Sequence, residues 1–319
     1  MATAQPVRSD APHLAEGIAR YVELFRAQPA AADLSGMRLN GDLTAGRFNG
    51  PHERHIRRFD TAIALPGREV PVRVFDPGGQ GERPAICYFH GGGFALGSIE
   101  SFDIVASELA HAAGAIVVSV EYRRLPENTY SAAQADCDEA FAWVCRNAGL
   151  LGADPDALFL AGDSVGALFA LVSAANACDA DGQKAPSALL LFYGAIAMDG
   201  GDPAYRGALD PLLTPDRIEN YTRLFRECGG PDGGPAPVDR SDLSGLPPIH
   251  IVAAEHDPLL HDARRLEQKL AAASVPVTFR IAPGMIHGFL RAAGVSPAVR
   301  EEVRLAVQTM PALTSQISA

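Results

Sequence analysis

The chain has 319 residues, 47% of them apolar, enough to bury a large core as one α/β domain with an elaborated lid or as two domains. With 27 basic and 38 acidic residues the formal charge is -11 and no run of Lys/Arg interrupts it, which disfavours nucleic acid or an anionic membrane surface as partner. The five cysteines, odd in number and without a CxxC pair, argue against a disulfide framework and against structural zinc.

In chain order, the first segment carries charges throughout and lacks the continuous apolar core of a signal peptide, so the expectation is a cytoplasmic protein with no stable membrane insertion. Leu14, Ile18, Tyr21, Val22 and Phe25 fall on one face of a helix over 10–28. A linker-like stretch rich in Gly, Asn and Asp follows, to about Pro51. From there apolar runs at 69–75, 85–90, 115–122, 157–162, 187–194, 249–255 and 277–282 read as strands. Helical spacing holds over 131–149, after Ser164, over 263–273 and over 297–310, with Ser131 and Ser296 as N-terminal signals. Short apolar strands separated by helices imply an α/β fold with a mainly parallel central sheet flanked by helices. Residues 198–246 break the rhythm with a long Gly/Pro/Asp-rich passage holding one helical piece at 215–228, either a lid or surface decoration.

The strand at 157–162 runs into "GDSVG", residues 162–166, and a helix resumes at once. G-x-S-x-G between a strand and a helix is the context in which a strained turn exposes a serine oxygen, here that of Ser164. A serine needs a base to take its proton and an acid to orient that base. Asp257 and His287 follow in the order Ser, Asp, His, each just past the C-terminal end of a predicted strand, where open α/β sheets place their sites. Glu255 and Asp262 compete as the acid, but the first belongs to a strand end and the second to the next helix. Among the rival histidines, His90 precedes the serine, His250 lies within a strand, and His256 and His261 crowd the proposed acid.

The run "AICYFHGGGFALGS", residues 85–98, ends a strand in three glycines. No Lys follows at phosphate-loop spacing, and no G-x-G-x-x-G opens a helix there. The glycines read best as one wall of an oxyanion hole, where side chains would hold the backbone too far from the reacting carbonyl.

Together "YFHGGGFALGS", "GDSVG", "DLSGLPPIHIVAAEHDPLLHDARRLEQKLAAASVPV" and "GMIHGF" resemble the hormone-sensitive-lipase-like family of α/β-hydrolases, which includes many bacterial carboxylesterases. The resemblance covers about residues 70–295. It implies oxyanion donors at Gly92 and Gly93 with a third at Val165, the residue after the nucleophile, and a structural role for His90. It also implies a helical cap, to which 1–50 and an insertion at about 198–240 correspond, leaving 51–319 as the catalytic domain. The chain departs from the family pattern at Val165, where Ala is common, at Ala167, where a second Gly is common, and at Leu260, His261 and Asp262 after "DPL". The expected function is a serine carboxylesterase acting on small-molecule esters of short acyl chains through an acyl-enzyme, with no metal and no cofactor. An amide, carbamate or lactone hydrolase, or a ligand receptor on the same fold, stays open, as does a homodimer.

Overall fold

The computed structural model describes residues 12–48, 56–231 and 243–309. The expected boundary at 50/51, the last part of the insertion and both chain ends lie outside the described residues. Eight strands form the sheet among them: β1 (Arg57–Leu65), β2 (Arg68–Asp76), β3 (Arg83–Phe89), β4 (Ile116–Val120), β5 (Ala153–Asp163), β6 (Ala188–Phe192), β7 (Ile249–Ala254) and β8 (Val277–Ala282). Their spatial order is β1-β2-β4-β3-β5-β6-β7-β8. The first two pairings are antiparallel and all others parallel. The helices are α1 (Ile18–Arg26), α2 (Leu34–Phe48), α3 (Asp103–Ala113), α4 (Tyr130–Leu151), α5 (Val165–Asp179), α6 (Pro215–Glu227), α7 (Leu260–Ala272) and α8 (Pro297–Gln308).

Side chains alternate across a strand, so a sheet covered on both faces needs apolar residues at every position. In β3, Ala85, Cys87 and Phe89 join the apolar layer under α4, α5 and α7, while Ile86 and Tyr88 join the layer under α3 and α8. The parallel strands all point their C-terminal ends the same way, which gathers the loops after β3, β5, β7 and β8 at one edge.

Four elements differ from the sequence expectation, and the cap of a fifth does. The first helix begins at Ile18 rather than near residue 10, because Gly17 turns with φ 84° and Ala15 NH binds Gly284 carbonyl at 2.9 Å, pinning the preceding chain. The stretch read as a linker holds α2, whose start is capped by Asp33 accepting Gly36 NH at 2.8 Å. Arg38 on that helix reaches the Ala95 and Leu125 carbonyls and Glu127, and such tertiary bonds offset the low helix propensity of its glycines. β1 and α3 have no counterpart in the sequence expectation. β1 is an edge strand exposed along most of its length, and α3 is buried over eight successive residues, so neither shows an apolar period. At the start of α4 the cap is Thr129 rather than Ser131, while Ser296 caps α8 and accepts Val299 NH.

Candidate active site

Ser164 stands between β5 and α5 at φ 53° and ψ -121°, a conformation an L residue rarely adopts and which lifts its side chain off the turn. The glycines on either side are dictated by space. A Cβ on Gly162 would come within 2.2 Å of Gly166 carbonyl oxygen, and one on Gly166 within 2.0 Å of Phe89 carbonyl oxygen. His287, on the loop after β8, brings Nε2 to 2.9 Å from Ser164 Oγ. Its Nδ1 stands 2.8 Å from Asp257 Oδ2, on the loop after β7, and Asp257 Oδ1 accepts Leu259 NH. Asp257 is buried, so solvent does not compete for the imidazole.

The rival residues are engaged elsewhere. Glu255 accepts Gly284 NH at 2.7 Å, and Asp262 accepts Tyr205 OH and Ala197 NH. His250 Nδ1 meets Thr278 Oγ1 and His256 Nε2 meets the His13 carbonyl. His261 faces Asp202 at 3.8 Å. His90 is stacked between Phe102 and Tyr122 with Nδ1 on the Gly91 carbonyl, and burial lowers its pKa to about 4.

Gly91 NH donates to Asp163 Oδ1 at 2.8 Å and so is turned away from the serine. Gly92, Gly93 and Val165 line the same cavity of about 910 Å³ as Ser164 and His287. Val165 opens α5, and the first NH groups of a helix have no acceptor within it. A side chain at Gly92, φ 129°, would strike Leu96 carbonyl oxygen, and one at Gly93, φ 60°, would strike the Tyr221 ring at 2.3 Å.

Residues 86–291, from within β3, the strand that leads into the glycine loop, to just past His287, match the family described as the alpha/beta hydrolase fold. This chain is an α/β hydrolase. The hydrolase is 36% identical over 258 residues to the esterase LipI of Mycobacterium tuberculosis, covering 79% of this chain and 80% of that protein. It is 38% identical over 240 residues to the carboxylesterase NlhH of the same organism, covering 73% and 75%. A hyperthermophilic esterase from the archaeon Pyrobaculum calidifontis matches it with a TM-score of 0.83 at 30% identity, over 96% of this chain and 99% of that one.

Two carboxylates of this α/β hydrolase escape a reading of the sequence. Asp163, inside the serine motif, binds Tyr88 OH at 2.6 Å, Tyr193 OH at 3.2 Å and Gly91 NH, tying the serine turn to the glycine loop. Its place in "GDSVG" is a usable signal. Asp210 comes from the Gly/Pro/Asp-rich passage and accepts His287 NH at 2.6 Å together with Leu212 and Leu213 NH. No local pattern marks it, since its partner lies on another loop. Burial of itself disfavours a charged imidazole, yet the carboxylates of Asp257, Asp210 and Asp163 outweigh it, and His287 titrates above the ordinary histidine value. Among the described residues no helix is long and apolar enough to cross a membrane, and no cluster of His, Cys, Asp or Glu could hold a metal ion.

Proposed function

We propose that this α/β hydrolase is a carboxylesterase that cleaves short acyl esters through a covalent acyl-enzyme formed on Ser164. The observation that carries the reading is the unbroken hydrogen-bonded line from Asp257 through His287 to Ser164 Oγ at the wall of the cavity. In this reading Ser164 attacks the ester carbonyl while His287 Nε2 takes its proton, and Asp257 holds the tautomer and stabilises the imidazolium. The NH groups of Gly92, Gly93 and Val165 donate to the oxyanion. His287 then gives its proton to the departing alcohol, and water repeats the sequence on the acyl-enzyme. All these groups belong to the chain, so the chemistry calls for neither metal nor cofactor.

The agreement of four motifs in order supports placing the chain in the hormone-sensitive-lipase-like branch. In that reading segments 1–50 and 198–240 form a cap, supported by Phe25, Met37, Leu213 and Tyr221 from those segments lining the cavity. A homodimer and a cytoplasmic location stay proposals from the sequence, the first checked by light scattering. The test of the activity is stopped-flow hydrolysis of 4-nitrophenyl acetate and butyrate. Wild type should show turnover with acyl-enzyme accumulation, and Ser164→Ala should lose roughly 10^4 to 10^6 in kcat with an unchanged circular dichroism spectrum. Near-normal turnover by a folded Ser164→Ala would overturn the assignment of the nucleophile.

A further inference from the structure

Four arginines line the cavity that holds Ser164: Arg26, Arg38, Arg217 and Arg291. Three have acceptors. Arg38 is paired with Glu127 at 2.7 Å, exposed Arg26 donates to the Pro211 carbonyl, and exposed Arg217 donates to the Leu212 carbonyl. The Arg291 side chain makes no hydrogen bond and no ion pair among the described residues, and its Nε and Nη2 are buried without a partner. Its guanidinium stands 5.2 Å from the centres of both the Phe48 and the Phe102 rings. Those faces attract a cation, but they supply no hydrogen-bond acceptor.

Arg291 is half-buried, with two of its three guanidinium nitrogens removed from water and no carboxylate against it, and buried polar atoms without partners are uncommon enough to require a cause. The carboxylates nearest the cavity do not answer it. Asp163 is held by Tyr88, Tyr193 and Gly91, and Asp262 by Tyr205 and Ala197. Arg291 also lies on the short turn Phe289–Gly294, four positions after His287, and its guanidinium is located by the Phe48 and Phe102 rings. Tyr21, which lines the cavity as well, feels that charge, which works against the rise that burial imposes on its phenol. A cation on the wall of the cavity that also holds Ser164 and His287, with its acceptor missing, is the complement of an anionic group on the substrate.

We propose that the esterase acts on esters that carry a carboxylate, and that Arg291 receives this carboxylate while Ser164 meets the ester carbonyl. The proposal rests on the esterase reading and adds the substrate class. The carboxylate can belong to the acyl part, as in a dicarboxylic acid half-ester, or to the alcohol part. The chemistry at Arg291 is the same in both cases.

Two matched pairs separate the sources: 4-nitrophenyl hydrogen glutarate against 4-nitrophenyl pentanoate for the acyl side, and 4-acetoxybenzoate against its methyl ester for the alcohol side. In one pair the acid should exceed its neutral partner in kcat/KM by about 10-fold, mainly through KM, because a remote ion pair is made equally in ground and transition states. Arg291→Met should erase that ratio and Arg291→Lys should retain part of it. Preference for the neutral ester in both pairs by wild type overturns the proposal, whether or not Arg291→Met folds. An acid preference that survives in folded Arg291→Met overturns it too. If wild type turns over none of the four esters, the esterase reading itself falls.

Discussion

At Asp257 and its neighbours the distances separate three carboxylates that the sequence places within eight positions of one another. Only Asp257 faces His287 Nδ1, whereas Glu255 holds the Gly284 amide and Asp262 holds Tyr205. Asp257→Asn should therefore lower kcat by about 10^4 by favouring the wrong imidazole tautomer, with Glu255→Gln and Asp262→Asn far milder. If Glu255→Gln proves the most damaging in steady-state kinetics, the acid is misassigned. Electrostatics adds a pH prediction. The base must be neutral to accept a proton, and the surrounding carboxylates outweigh burial to hold His287 above 6.5. Activity should then be lost as pH falls through a midpoint above 6.5 in the kcat/KM profile. Asp210→Asn keeps an oxygen for the His287 amide while removing one of the charges that favour the imidazolium, so its acid limb should move to lower pH. A limb that stays in place would reduce Asp210 to a merely structural contact.

At the scale of elements, the strand-turn-helix of β5 and α5 and the glycine loop after β3 are where local sequence and tertiary structure agree most closely. Both are legible because the constraint is steric and local: few residues other than Gly fit where a Cβ would meet a carbonyl oxygen at 2.0 to 2.2 Å. The glycines nevertheless differ in what blocks them. Gly92 is hemmed by Leu96 backbone, Gly93 by the Tyr221 ring on α6. Gly92→Ala should thus displace the loop and lower kcat by about 10^2 to 10^3, the loss expected for one oxyanion donor. Tyr221→Ala should restore part of the activity of Gly93→Ala and none of that of Gly92→Ala, as measured by kcat in the single and double variants. Elements whose order comes from elsewhere are not legible. β1 pairs along one edge and is exposed on both faces, α2 carries three glycines and is held by Arg38, and α3 is buried nearly all round. In each case the chain carries no clear apolar period, the usual signal, and the element is ordered by its neighbours.

For the whole molecule, the alternation of strands and helices points to the α/β class and to the end of the sheet at which Ser164, Asp257 and His287 lie. The shape of the cavity above them does not follow from it. That cavity, about 910 Å³, draws its walls from α1, α2, the 198–231 segment and the glycine loop, segments far apart in the chain. Asp210 and Arg291 acquire their meaning only through this assembly. The same walls bear on acyl length. Each added CH2 that fits is worth about 0.8 kcal/mol, so kcat/KM should rise from acetyl esters while the chain stays within the cavity. The space is finite, and buried Val165 stands beside Ser164. Further methylenes must then be strained or exposed, so kcat/KM should peak at or before hexanoyl esters and be low for palmitoyl esters. Trimming the wall with Ile218→Ala or Leu213→Ala should move the peak to longer chains, since both side chains line the cavity. A wild-type profile that climbs without a maximum to palmitoyl esters, or activation by an emulsion surface, would show that the cavity does not limit the acyl chain, and the enzyme would then have to be read as a lipase.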